Sequence, residues 1–396
     1  MNGNQGNEYT VVIIGAGPAG TAAAKTLSQA GISVAIIDKS IFPRKKLCGG
    51  LLTGRSKFIF ESIFDSDCWS KAVNYTATGC KFYSNFSQIN EVNNYSKLYF
   101  TDRYYFDNIL LESAVKSGAR TYLGSQVIKI DNMTKTILLK DSKTIKYTFL
   151  IGADGVNSVV SKHLFGTSYN TTKIALGLEI DIKRDEVKDE NIIVPEIFFG
   201  LVNWGYAWVF PKKDTLTIGI GGLIIKNNNL NKVFLSNFIK KRFNIEISNE
   251  KIKGHHIPFG DFRSNPGKKN ILLCGDASGL VEPITGEGIA FAMESGKMCG
   301  ISIIEAIKVN TDDALSFYKT KYKNITEILL YSKVLRYFIF SPLLSNIFLK
   351  KLSKPSSSLP NKFLDLMEGK ISYKDLIQSS FKKKILKLIF FWQKND

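Results

Sequence analysis

Two glycine-rich turns, far apart in the chain, carry residue types and spacings suited to redox chemistry on a phosphate-bearing cofactor. The first, Gly15-Ala16-Gly17-Pro18-Ala19-Gly20, follows the β-branched run Val11 to Ile14 and leads into the alanine-rich segment Thr21 to Ala30. Strand, tight turn and helix in that order are the context in which Gly-x-Gly-x-x-Gly cradles a dinucleotide. Gly15 allows the turn, Gly17 lets the backbone approach a pyrophosphate, and Gly20 lets helix and strand pack closely, with the phosphates at the positive end of the helix. A second strand, Ile32 to Ile37, ends in Asp38. A carboxylate there accepts hydrogen bonds from ribose hydroxyls and repels a 2′-phosphate, so this half fits an adenosine diphosphate moiety and not NADP.

The second turn lengthens the cofactor. Asn270 to Cys274 is another short apolar strand, and it runs into Gly275-Asp276 and then Pro283-Ile284-Thr285-Gly286-Glu287-Gly288 before the helical segment Gly288 to Glu305. Asp276 at a strand end can take a hydroxyl from a polyol chain. The amides of Gly286 to Gly288 lie at a helix N-terminus, which favours negative charge. A reduced flavin carries that charge at N1 and the C2 carbonyl, which narrows the cofactor to a flavin.

The elements that position these turns follow from periodicity. Residues 1–72, 100–168 and 266–308 carry the cofactor motifs as one discontinuous domain. Residues 73–99 and 169–265 alternate, as in Ala175 to Ile182 and Leu216 to Ile220, which predicts antiparallel strands of a second domain. Trp204, Tyr206, Trp208 and Phe210 alternate in one such strand and so share a face, either as a substrate wall or as sheet core. Residues 309–396 read as helical, with a break at Ser353 to Pro360.

Gly15 to Gly20, Asp38, Phe42 to Gly50, Asp102 to Asp107, Gly152-Ala153-Asp154-Gly155 and Gly275 to Gly288 resemble, in order, the motifs of the geranylgeranyl reductase family, within the p-hydroxybenzoate hydroxylase-like flavoproteins. Cys48-Gly49-Gly50 and Tyr206-Ala207-Trp208-Val209-Phe210-Pro211 point to the reductase branch. The resemblance covers roughly residues 8–310. It implies an α/β chain, α+β overall, with a Rossmann-type FAD-binding domain, an antiparallel-sheet substrate domain and a helical C-terminal region. It implies FAD contacts at Gly15, Gly17, Pro18, Ala19, Gly20, Asp38, Lys39, Cys48, Gly49, Arg103, Val127, Asp154, Asp276, Gly286, Gly288 and Ile289, and a substrate pocket at Gly50, Trp204, Tyr206, Trp208 and Phe210. One departure is Ser158-Val159-Val160-Ser161-Lys162, where the group has Ser-x-x-Arg.

The activity the resemblance implies is saturation of carbon–carbon double bonds in a prenyl-chain lipid or prenyl diphosphate. Hydride adds to one carbon, so a proton must reach the other, and Cys48 and Tyr206 are the candidate acids. Arg44, Lys45 and Lys46 could meet a substrate phosphate or lie on the solvated surface. The electron donor is NADPH or a reduced ferredoxin, since no second nucleotide fingerprint is present. A flavin monooxygenase or halogenase is the alternative on the same scaffold, and a non-catalytic flavin-containing membrane-binding protein is the alternative of another class.

The 396 residues suffice for two domains and an appendage, and 44% apolar content is that of a globular protein. Cys48, Cys68, Cys80, Cys274 and Cys299 form no Cys-x-x-Cys pair, which argues against a disulfide framework or a zinc site. The polar N-terminus lacks signal-peptide features, so the expected location is the cytoplasm. A net charge of +18 would draw the chain to an anionic surface. No nucleic-acid-binding signature occurs, whereas Phe381 to Trp392 sets Phe381, Ile385, Leu388 and Trp392 on one helical face and Lys383, Lys384 and Lys387 opposite. The expectation is peripheral binding at the inner face of the cell membrane, as a monomer or weak homo-oligomer. Val334 to Leu349 is also very apolar but is interrupted by Arg336 and Pro342.

Overall fold

Val11 to Ile14 are apolar at every position because their strand lies between two layers. Val11 and Ile13 face one buried cluster, with Ala23, Leu27, Phe291 and Ile303. Val12 and Ile14 face another, with Ile137, Tyr147 and Val160. Each such fully buried side chain contributes about 2 kcal/mol against leaving it in water.

The computed structural model describes residues 7–187 and 192–380. In chain order it begins β1 (Glu8–Ile14), α1 (Pro18–Gln29), β2 (Val34–Asp38), β3 (Leu51–Leu52), α2 (Gly54–Glu61), α3 (Ser66–Ala72), β4 (Tyr75–Ser84), β5 (Ser87–Phe100) and α4 (Arg103–Lys116). Next come β6 (Arg120–Leu123), β7 (Val127–Asp131), β8 (Thr136–Leu139), β9 (Thr144–Gly152), α5 (Val159–Phe165), β10 (Ala175–Lys183), β11 (Glu196–Phe199), β12 (Gly205–Pro211) and β13 (Thr215–Leu223). The chain continues with α6 (Lys232–Phe243), β14 (Lys253–Ile257), β15 (Gly267–Lys268), β16 (Ile271–Leu273), α7 (Ile289–Lys308), α8 (Ala314–Phe340), α9 (Pro342–Leu352), α10 (Leu359–Glu368) and α11 (Tyr373–Ser380).

One sheet runs β15-β16-β9-β1-β2-β6, with β7 and β8 attached through β9. The strands from β16 through β9, β1 and β2 to β6 are parallel. The other sheet runs β14-β10-β13-β12-β11-β4-β5-β3 and is antiparallel except where β11 meets β4. Its β3 pairs Leu51 with Phe100, so the chain enters this sheet well before residue 73. Leu178, Ile180 and Ile182 of β10 face a cluster that includes Leu235, Phe238 and Ile239 of α6. The opposite face of the sheet is left for the site.

Two helix contacts bring the distant glycine turns together. Helices α1 and α7 each begin at one turn, and they pack closely where Gly296 and Gly300 carry no side chain. A Cβ on Gly296 would lie 2.0 Å from the Ala19 carbonyl oxygen, and one on Gly300 would lie 3.0 Å from Thr26. Helix α8 then fastens this pair to both sheets: Tyr318 and Tyr322 join the core of the first and Leu335 and Phe340 that of the second. Its Tyr318 hydroxyl donates to the Leu273 carbonyl at 3.0 Å and Tyr322 donates to that of Arg263 at 2.9 Å. Among the described residues no single helix is long and apolar enough to cross a membrane; α8 and α9 pass only as a pair, bent by 86°. Phe381 to Trp392 lies outside the described residues.

Candidate active site

A cavity of about 600 Å³ begins at the first turn and ends against the open face of the second sheet. Gly15 sits at φ +106°, and a Cβ there would lie 2.2 Å from the Ala153 carbonyl oxygen. Gly17, Pro18 and Ala19 line the cavity, whereas Gly20 packs inward against Gly15 and does not reach it. Asp38 is aimed at this turn: its carboxylate accepts from the amides of Ala16 and Ser40, each at 2.8 Å.

Beside the turn, one fully buried carboxylate serves two guanidiniums. Asp107 accepts from Arg103 at 2.6 and 2.8 Å and pairs with Arg44 at 3.1 Å. The group carries a net positive charge, and the buried Nη1 of Arg44 has no hydrogen-bond partner among the described residues. Arg44 Nη2 also lies 3.8 Å from where a Cβ on Gly17 would be. An unpaired buried donor on a cation next to an open glycine backbone fits the pyrophosphate of a dinucleotide. By this criterion the residues present fit FAD. Lys39 and Val127 line the same end.

The second turn meets the cavity further along. Asp276, Gly286, Gly288 and Ile289 all line it. Burial raises the Asp276 carboxyl, and Lys46 and Arg103 pull it back. Glu287 is held against α2, accepting from Thr53 Oγ1 at 2.6 Å and Ser56 Oγ at 2.9 Å. Asp154 also borders the cavity, but its carboxylate accepts from Ser158 Oγ at 2.5 Å and the Val159 amide at 2.6 Å. It therefore caps α5. The Ser158 to Lys162 departure falls on this cap, with Ser161 N donating back to Ser158 Oγ.

Cross-strand register builds the far wall. Trp208, Gly219 and Glu179 form one row across β12, β13 and β10; Tyr206, Gly221, Gly177 and His255 form the next, reaching β14. Glycines occupy the middle of these rows, so Trp208 lies flat on the sheet, with its Cζ2 2.3 Å from where a Cβ on Gly219 would sit. Phe210 stacks beside Trp208, with ring centroids 6.0 Å apart. Tyr206, Trp208 and Phe210 line the cavity as an alternating face. Trp204 does not: it precedes β12 at φ +51° and packs on Tyr337 and over Arg336 instead. Trp204 packs against the same apolar cluster as Tyr206, Trp208 and Phe210, but beyond the cavity.

Cys48, Gly49 and Gly50 close over this wall. A Cβ on Gly49 would lie 2.9 Å from the Phe210 ring and 3.4 Å from the Trp208 indole nitrogen. Among the described residues that buried indole N–H has no hydrogen-bond partner. The Cys48 amide donates to Glu179 Oε1 at 2.5 Å, and the Cys48 sulfur accepts from the Gly50 amide at 3.4 Å. Tyr206 donates its hydroxyl hydrogen to the Thr285 carbonyl, and burial raises its pKa far above the ordinary value. Lys46 Nζ meets His255 Nε2 at 2.7 Å. Burial, then Lys46, lowers His255 to about 4.

The sequence reading passed over Glu179. Burial raises its carboxyl to about 7, against the pull of Lys212. A signal was present: in Ala175 to Asp181 one strand face reads Ala, Gly, Glu, Asp while the other reads Leu, Leu, Ile. Small and acidic residues on one face of a buried strand are not core. The equally unread Gly177 and Gly221 make the floor, and only the pairing of their strands places them together.

A model of the FAD binding domain matches residues 8–196. An uncharacterized protein of Methanosarcina barkeri is 34% identical over 80% of this chain and 80% of its own length. The digeranylgeranylglycerophospholipid reductase of Methanococcus vannielii is 27% identical over 92% of this chain and 94% of its own. The crystal structure of a geranylgeranyl bacteriochlorophyll reductase-like protein from Thermoplasma acidophilum superposes with a TM-score of 0.71 at 22% identity, covering 97% of this chain and 99% of that one. The two-sheet architecture, the cofactor turns and these likenesses agree, and the chain belongs to the geranylgeranyl reductase family of FAD-dependent oxidoreductases.

Proposed function

We propose that the protein saturates carbon–carbon double bonds of a geranylgeranyl-type polyprenyl chain. The observation that carries this reading is the continuity of one cavity from the dinucleotide cradle to a wall of glycines and flat aromatics, closed by Cys48-Gly49-Gly50. When bound and reduced, FAD supplies the hydride. Gly15, Gly17, Asp38, Arg44 and Arg103 would hold its adenosine diphosphate half, and Asp276 with the Gly286 to Gly288 amides the flavin half. The wall excludes water and lays an extended apolar chain alongside the glycine floor. Two names among its relatives, a digeranylgeranylglycerophospholipid reductase and a geranylgeranyl diphosphate reductase, support this substrate class.

NADPH or a reduced ferredoxin delivers the electrons. A membrane supplies the substrate: Leu343 and Ile347 are 87% and 54% exposed on α9, and Lys350 and Lys351 follow them on the surface. Exposed apolar residues beside lysines suit the headgroup boundary of an anionic bilayer.

Anaerobic incubation of the reduced holoprotein with geranylgeranyl lipids is expected to give products heavier by pairs of hydrogens. No mass change with any prenyl lipid or prenyl diphosphate would overturn the reading. Substrate-stimulated oxygen uptake would favour the monooxygenase or halogenase alternative instead.

A further inference from the structure

Adding hydride to an alkene leaves a proton to be delivered, and the cavity wall contains a carboxyl that no part of the cradle uses. Glu179 is 8% exposed, lines the cavity, and stands in the row of Trp208 and Gly219. Among the described residues its single hydrogen bond comes from the Cys48 amide to Oε1, which fixes the carboxyl under the Cys48-Gly49-Gly50 segment and leaves Oε2 for a ligand. The two acids expected from the sequence are differently engaged. The Tyr206 hydroxyl hydrogen is committed to the Thr285 carbonyl. The Cys48 sulfur accepts from the Gly50 amide and faces the Arg103 guanidinium, so its neighbours are donors.

We propose that Glu179 is the proton donor of the reduction, an inference that rests on the prenyl-reductase reading above. The carboxyl O–H breaks and its proton forms a C–H bond at one alkene carbon, using the π electron pair. FAD, when bound and reduced, would supply the hydride that forms the second C–H bond at the adjacent carbon, and with it the two electrons the alkene gains. The carboxylate regains its proton from water.

The surroundings hold the carboxyl's pKa near neutrality without isolating it. Burial raises the carboxyl to about 7; Lys212 at the end of β12, the Cys48 amide and Arg103 on α4 lower it, and Asp181 on β10 raises it. Lys253 of β14 lies across from it in register, and Lys46 and His255 flank the next row. A pKa near the working pH suits a group that must give up and recover a proton in each cycle.

The test compares wild type, Glu179→Gln and Glu179→Asp as FAD-loaded proteins. Glutamine retains the shape and the acceptor for the Cys48 amide but has no acidic proton. Reduction of a geranylgeranyl lipid by Glu179→Gln is expected to fall by about 100-fold or more, with flavin content and anaerobic flavin reduction unchanged, while Glu179→Asp recovers part of the rate. In wild type the rate falls as pH rises through about 7, and Glu179→Gln lacks that fall. A readout independent of turnover is the infrared carboxylic-acid band of the protein without substrate: it disappears as wild type passes pH 7 and is missing from Glu179→Gln.

A Glu179→Gln rate within about threefold of an active wild type overturns the donor role alone, because a general acid contributes about 100-fold or more. So does a flat wild-type profile between about pH 6 and about 9, a result that needs no variant. A wild type that reduces no prenyl substrate overturns the underlying reading and the donor role with it.

Discussion

The cradle at the first turn and the wall of the second sheet are both built on glycines, yet the glycines do opposite work. In the cradle, Gly15 and Gly20 admit neighbouring backbone so tightly that no side chain fits. In the wall, Gly177 and Gly221 open onto the cavity, where a Cβ would meet the Ile257 side chain at 3.1 Å and the Trp208 ring at 3.4 Å. The electrostatics divide in the same way. The cradle holds two guanidiniums on one carboxylate and so awaits an anion, while the wall holds a carboxyl that burial raises to about 7. Substitutions in the cradle therefore strike folding and flavin together, and substitutions in the wall strike substrate turnover with the fold intact.

The largest expected effect lies in the cradle. Asp107→Ala leaves Arg103 and Arg44 buried without their counter-charge, and the apoprotein is expected to lose about 3–5 kcal/mol in denaturant unfolding. Next, Gly15→Ala places a side chain in the left-handed region against Ala153; FAD is expected to bind at least about 100-fold more weakly, or about 3 kcal/mol, by flavin fluorescence titration. If Asp107→Ala spares stability or Gly15→Ala retains FAD, the contrast between the two regions fails on the cradle side.

On the wall, Gly177→Leu fills the floor beside Ile257. It is expected to raise KM for a prenyl lipid by about tenfold, or about 1.4 kcal/mol, while flavin content stays at the wild-type level. Loss of flavin in this variant would show that floor and cradle are one unit. Trp208→Phe removes a buried donor that has no partner, so the apoprotein is expected to gain about 1 kcal/mol while ligand binding weakens. A loss of apoprotein stability would mean that indole packing outweighs the unmade hydrogen bond.

A further effect is a pH dependence. His255 titrates near 6.5 when unfolded and about 4 when folded, so the unfolded state takes up its proton first as pH falls. The contribution of His255 is present above pH 6.5 and is lost between there and about 4. The thermal midpoint of wild type is expected to drop over that interval relative to His255→Gln, and parallel curves for the two proteins would remove His255 as the cause.

The parts legible in the sequence are those whose partners are close in the chain. Val11 to Ile14, the turn after them and Asp38 lie within one strand-turn-helix-strand unit, so four apolar residues, three glycines and a carboxylate suffice to specify it. The departures come from longer range. Nothing near Gly296 and Gly300 reveals that they seat α7 on α1. Trp204 keeps the two-residue spacing of Tyr206, Trp208 and Phe210 but lies outside the cavity, where Tyr337 and Arg336 of α8 pack on it.

By itself, the sequence determined the cofactor class, because the glycine turns and Asp38 make a phosphate and ribose cradle from local geometry alone. It also determined the α/β class, because runs buried on both faces and alternating runs have different periods. Only the tertiary structure decided the acid in the pocket. Glu179 becomes a wall residue when β10, β13 and β12 align Glu179, Gly219 and Trp208 in one row, and it becomes a candidate acid when Cys48 is brought from a distant loop to bind it. The physical reason is that burial and register are properties of the assembled sheet: a carboxyl in water has an ordinary pKa, and its neighbours exist only after the strands have paired.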